Sequence, residues 1–133
     1  MRVGVSYLIS LTLFLLLSCQ SSENEVNRVA EQFLDSFFKF DYESAKALST
    51  HEYKEELSFL TKSIEGLEQG VRDKVIEYSQ GVERELLNIE KSNSKDTLIL
   101  NYRMVAPNTK YKANNSLTMV KGSEGWRVAR FGS

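Results

Sequence analysis

Apolar residues change their spacing once along this chain, near Gly81. Before it they recur every three or four residues; after it they alternate. Those are the periods of helix and strand. Val26, Val29, Ala30, Phe33 and Phe37 share one helical face, with Glu31, Asp35 and Lys39 elsewhere. That stripe predicts an amphipathic first helix over about Asn24–Lys39, opened by a capping box at Ser22-x-x-Glu25. Asp41 is placed to cap a short second helix in "YESAKALS", with Ala45 and Leu48 inward. Ser49-x-x-Glu52 reads as a second capping box. It opens a longer helix with Tyr53, Leu57, Leu60, Ile64 and Leu67 in line, broken near its end by Gly66 and Gly70. A further helix, Val71 to Ser79, stops at Gly81.

Four strands are expected after Gly81. The first is "ERELLNIEKS". In "DTLILNYRMVA" one face carries Leu98, Leu100, Tyr102 and Met104, and the other Ile99, Asn101, Arg103 and Val105. "PNTK" is a turn, "YKANNSLTMVK" the third strand, "GSEG" a hairpin loop and "WRVARFG" the last strand. Helices first and strands afterwards predict an α+β domain with segregated layers.

The first residues, "MRVGVSYLISLTLFLLLSC", carry a positive start at Arg2 and an apolar run from Val3 to Leu17. The run is short for a membrane-spanning helix, which needs about 20 apolar residues, and fits a secretory signal. Leu16-Leu17-Ser18-Cys19 resembles a bacterial lipobox: Leu at minus three, a small residue at minus one, Cys at plus one. Leu17 departs from the small or β-branched residue usual at minus two. The resemblance implies cleavage before Cys19 and a diacylglycerol on its sulfur. Cys19 is the only cysteine, so no internal disulfide is possible. Each buried CH2 of an acyl chain contributes about 0.8 kcal/mol, and two chains hold a protein stably on a bilayer. Gln20 rather than Asp follows, which in the enterobacterial sorting scheme points to the outer membrane. The chain thus divides into a signal peptide (1–18), a lipidated cysteine with a short tether (19–23) and a single domain (24–133), large enough to bury one core.

Charge is uneven. Residues 20–90 hold 8 basic and 16 acidic side chains, a net of −8, and residues 91–133 hold 8 and 2, a net of +6. Either the halves pack together and their fields cancel, or the basic half meets an anionic partner. The export signal and the lack of a recognition motif argue against nucleic acid.

A long aromatic helix, the short "FDYESAKALS" helix, further helices and a meander ending in "GWRVARF" resemble the nuclear-transport-factor-2-like, or cystatin-like, α+β cone. They resemble especially the small bacterial lipoproteins of unassigned role that carry it. The resemblance implies N-terminal helices packed on a curved antiparallel sheet of about four strands, with a pocket between sheet and long helix. Phe33, Phe37, Tyr102, Arg103 and Trp126 are the candidates to line that pocket; core packing accounts for Phe33, Phe37 and Trp126 equally well. Hydratases, isomerases and cyclases share the fold, which draws attention to Asp41, Tyr42 and His51 as well. No acid–base pair is recognisable by spacing, and nucleophile motifs and phosphate loops are absent. "HEYKE" falls short of the zinc motif H-E-x-x-H, because Glu55 stands where the second imidazole is needed and His51 is the only histidine. His51 and Glu55 read instead as a solvated helix pair. The sequence calls for no cofactor and no metal. The function expected is that of a lipid-anchored, non-catalytic binding or accessory domain at the bacterial envelope. Its partners are the membrane, through the anchor, and an envelope protein or a small ligand. A homodimer, a pocket enzyme of hydratase or isomerase type and an envelope assembly subunit stay open.

Overall fold

A computed structural model describes residues 23–133. The signal peptide, Cys19, the tether up to residue 22 and the Ser22 capping box lie outside the described residues. The fold is α+β, with the helices N-terminal to the strands. Helix α1 covers residues 23–38, followed by α2 (Tyr42–Ala47), α3 (His51–Glu65) and α4 (Gln69–Gln80). Strands β1 (Glu83–Lys91), β2 (Thr97–Val105), β3 (Lys112–Gly122) and β4 (Gly125–Gly132) form one antiparallel meander in sequence order.

The apolar stripe of α1 is buried, and Leu34 joins Val26, Val29, Ala30 and Phe33. The helix stops one residue before Lys39 because Phe40 turns left-handed, with φ +59. That conformation is costly for a bulky side chain. Here it is held by the Asp41 N–H donating to the Ser36 carbonyl (2.9 Å) and by the Phe40 ring against Tyr42. Asp41 then caps α2 as expected, accepting from the Ser44 N–H at 3.2 Å and the Ser44 hydroxyl at 2.6 Å.

The cap of α3 is Thr50, not Ser49: the Thr50 hydroxyl accepts from the Tyr53 N–H at 3.3 Å. Ser49 is otherwise engaged. Its buried hydroxyl donates to the Ala45 carbonyl at 2.7 Å. The flanking backbone bridges to β4, with the Thr50 N–H donating to Val128 O and the Val128 N–H donating to Leu48 O, each at 2.8 Å. This one-residue bridge covers part of the free edge of β4, where unpaired backbone would invite another strand.

Gly66 ends α3, but Gly70 lies inside α4, which starts two residues before Val71. The Arg72 guanidinium donates to the Glu65 and Leu67 carbonyls at 3.2 and 3.1 Å, so a cation stops α3. None of the residues of α4 is buried. Gly81 ends it at a close approach: a Cβ there would sit 2.9 Å from Pro107.

One face of the sheet carries the core. Leu100, Tyr102, Met104, Leu117, Met119, Trp126 and Val128 are buried there in one cluster with α1. Among the described residues no helix covers the other face, where Ile99, Asn101, Arg103 and Val105 are half-buried. Register shifts at Leu86/Asn88 in β1 and opposite Thr118/Met119 in β4 mark bulges in both edge strands. The first leaves Leu87 exposed.

Candidate functional site

The space between α1 and the sheet, where the resemblance places a pocket, is occupied by aromatic rings. Phe33 stacks on Phe37 at 5.7 Å and meets Tyr53 and Phe131 at 6.0 and 6.4 Å. Phe37 meets Phe38, Tyr42 and Phe131 edge-on at 5.6, 5.6 and 5.1 Å. These are packing distances for offset and edge-to-face pairs. Tyr102 and Trp126 are buried in the same core, and the Trp126 indole N–H finds no acceptor among the described residues. Arg103 follows Tyr102 on a strand and therefore projects from the opposite face. It pairs with Glu85 of β1 at 3.5 Å. The five pocket candidates thus do not converge: four pack in the interior and Arg103 lies outside it.

A polar cluster that the sequence did not reveal joins α1 to the sheet. The Arg84 guanidinium, projecting inward from β1, donates to Glu31 Oε2 at 2.7 and 3.1 Å and to Asp35 Oδ1 at 2.5 Å. The Tyr102 hydroxyl donates to the other Glu31 oxygen at 3.3 Å. Burial weakens the charged form of Arg84, but the two carboxylates outweigh it and its pKa rises. Tyr102 is raised above its ordinary value, first by burial, then by the Glu31 charge and hydrogen bond, and so stays a protonated donor. Both oxygens of Glu31 already accept, and Arg84 is neutralised by two anions. The cluster ties helix to sheet. Glu31 and Asp35, four residues apart on α1, were a visible signal. Their partner was hidden because Arg84 falls on the inward face only in the actual register of β1.

His51 is exposed and makes no ion pair with Glu55 among the described residues. Nor do three His, Cys, Asp or Glu side chains converge there to hold a metal.

What remains is outer surface. A groove of about 450 Å³ runs between α3 and the end of β4, lined by Tyr53, Glu55, Glu56, Phe59, Leu60 and Phe131. Tyr53 is pushed up to about 12, by burial first and then by Glu56, while a backbone hydrogen bond from Phe131 and the Arg130 charge oppose the shift. A wider groove lies along α4 at Val71, Val75 and Tyr78. Phe59 is 70% exposed, an uncommon position for a phenylalanine.

No family model and no curated protein matches this chain. The functional reading therefore rests on its residues and geometry alone. No helix among the described residues is long and apolar enough to cross a membrane.

Proposed function

We propose that this chain is an exported lipoprotein of the bacterial envelope, held by acyl chains on Cys19, whose domain binds through its outer surface and performs no catalysis. The observation that carries the reading is the run from Arg2 through the apolar Val3–Leu17 to Leu16-Leu17-Ser18-Cys19. The nuclear-transport-factor-2-like resemblance stays part of the proposal, with the α+β arrangement in its support. The interior aromatic packing favours a binding domain over a pocket enzyme, because it leaves little room for a substrate beside Tyr102.

The anchor also orients the domain. Three residues, Gln20 to Ser22, lie between Cys19 and Glu23, so the four steps reach at most about 14 Å. At the start of α1 the Glu25 carboxylate lies 3.4 Å from where a Cβ on Gly125 would be. The β3–β4 hairpin therefore faces the bilayer, and the opposite end, with Pro107 and Tyr111, faces away. Cys19→Ala tests the reading: wild-type protein should take up labelled fatty acid and fractionate with membranes, and the variant should do neither. Equal labelling of both, or of neither, contradicts it.

A further inference from the structure

The sheet has two outer edges, and the fold covers part of only one of them. At β4 the bridge from Leu48 and Thr50 to Val128 occupies a stretch of the edge. At β1 nothing does. Among the described residues its backbone bonds only to β2, and Glu83–Lys91 runs along the rim for nine residues. Every second residue of such a strand turns its N–H and C=O outward, where they can pair with another chain. The side chains along this rim are of two kinds. Glu83, Glu85 and, past the bulge, Asn88 and Glu90 lie on the open side of the sheet. Leu86 and Ile89 turn toward the core and are half-buried, and Leu87 stands exposed at the bulge between them. Carboxylates dominate. Glu85 pairs with Arg103 at 3.5 Å, and Arg84 is held by Glu31 and Asp35. Glu83 and Glu90 make no ion pair among the described residues. Lys91, at the end of the strand, is the opposing charge nearest to them along β1 that no carboxylate engages among the described residues.

We propose that the free edge of β1 takes up, as an added strand, an extended segment of another protein in which apolar residues alternate with lysine or arginine. The sheet sets the alternation. An added strand continues both faces, so its side chains fall in turn beside Leu86 and Ile89 and beside Glu83, Glu85 and Glu90. Apolar neighbours cover the first set, and cations neutralise the second. At the start of β1 a cleft of about 250 Å³ opens between the strand and α1, with Phe38 and Val82 in its wall. It offers room for one inward apolar side chain, and strand-addition sites draw specificity from such pockets while the main chain supplies affinity. The same carboxylates disfavour a second copy of this chain on the edge. If β1 paired antiparallel with itself, centred on Leu86 and Leu87, Glu83 of each copy would meet Glu90 of the other. Like charges directly opposite one another are destabilising, so the acidic column rejects its own kind and admits a basic strand. The bulge divides the edge into two short runs, which suits a short segment. The inference names a partner for the surface-binding reading above and does not depend on the anchor.

The probe is a fluorescent octapeptide of alternating lysine and valine, blocked at both ends and added to the full chain purified in non-ionic detergent. Anisotropy reads binding, and hydrogen exchange reads the site. Wild type should bind the peptide saturably, and amides of β1 should gain protection while those of β4 do not change. The same peptide with every backbone nitrogen methylated keeps its charges and apolar groups but cannot donate to a ladder. It should bind roughly tenfold more weakly or worse. Glu83→Lys with Glu90→Lys should weaken the lysine peptide by about tenfold or more and should bind an alternating glutamate and valine peptide that wild type rejects. Both positions are exposed, and circular dichroism reports whether the variant keeps its fold. Absence of saturable binding to wild type overturns the proposal. So does equal binding of the methylated peptide, protection that falls outside β1, or indifference to the charge reversal. Protection of β1 without peptide, in a wild type that sediments as a dimer, would put a second copy on the edge and overturn it as well. Fatty acid on Cys19 is read separately by mass, so failure of the strand site and failure of the anchor are told apart.

Discussion

The two faces of this sheet are built from the same strands and have opposite chemistry. Under α1, alternate residues of β2 and β3 are Leu100, Tyr102, Met104, Leu117 and Met119, all buried. On the far face their neighbours are Asn101, Arg103, Ser116 and Thr118, half-buried at most. The first face fixes the fold by burial of apolar area, about 25 cal/mol per Å². The second is only half-buried and mixes Ile99 and Val105 with these polar side chains. The proposal of a surface-binding domain leans on the second face, because Phe33, Phe37 and Phe131 fill the space on the first.

That contrast can be broken most severely from the inside. Phe33→Ala should cost about 3–5 kcal/mol in urea unfolding, since the ring is fully buried among Phe37, Tyr53 and Phe131. Next comes the lock between α1 and β1. Arg84→Ala leaves Glu31 and Asp35 facing each other and should cost roughly 1–2 kcal/mol, limited because both carboxylates are about half exposed. The third effect depends on pH. Tyr53 is raised from 10.0 to about 12 by burial, and Tyr102 is raised too, so the fold prefers both phenols protonated. Their contribution is complete below pH 10 and is lost as pH rises from there toward 12. Alkaline titrations of stability should therefore fall more gently for Tyr53→Phe and Tyr102→Phe than for wild type. The smallest effect belongs to the helix outside the core. Val75→Ser in α4, where no residue is buried, should change stability by less than about 0.5 kcal/mol. A larger loss would mean that α4 is a working part of the core.

The α+β order, the buried face of α1, the Asp41 cap and all four strands were legible from spacing, because each is set by residues close in sequence. The cap of α3 was not. Ser49 and Thr50 are both good caps, and the choice fell to a backbone bridge with Val128, far along the chain. The Arg84 cluster stayed hidden for a related reason. A charged residue on a strand can project to either face, and its direction depends on register. Gly70 read as a helix breaker, yet it sits in the first turn of α4, where a glycine is tolerated. Tyr102 and Arg103 were grouped as pocket candidates although strand alternation already separates them. That consequence was visible in the sequence.

The central claim is that a membrane anchor on Cys19 presents a closed domain to the envelope. Intact-mass and N-terminal peptide analysis of the full chain, purified from its own membranes, tests it most directly. The account predicts a mature chain that begins at Cys19, with a thioether-linked diacylglycerol on its sulfur. A chain that retains residues 1–18, begins at any other residue, or carries a free Cys19 thiol would contradict it.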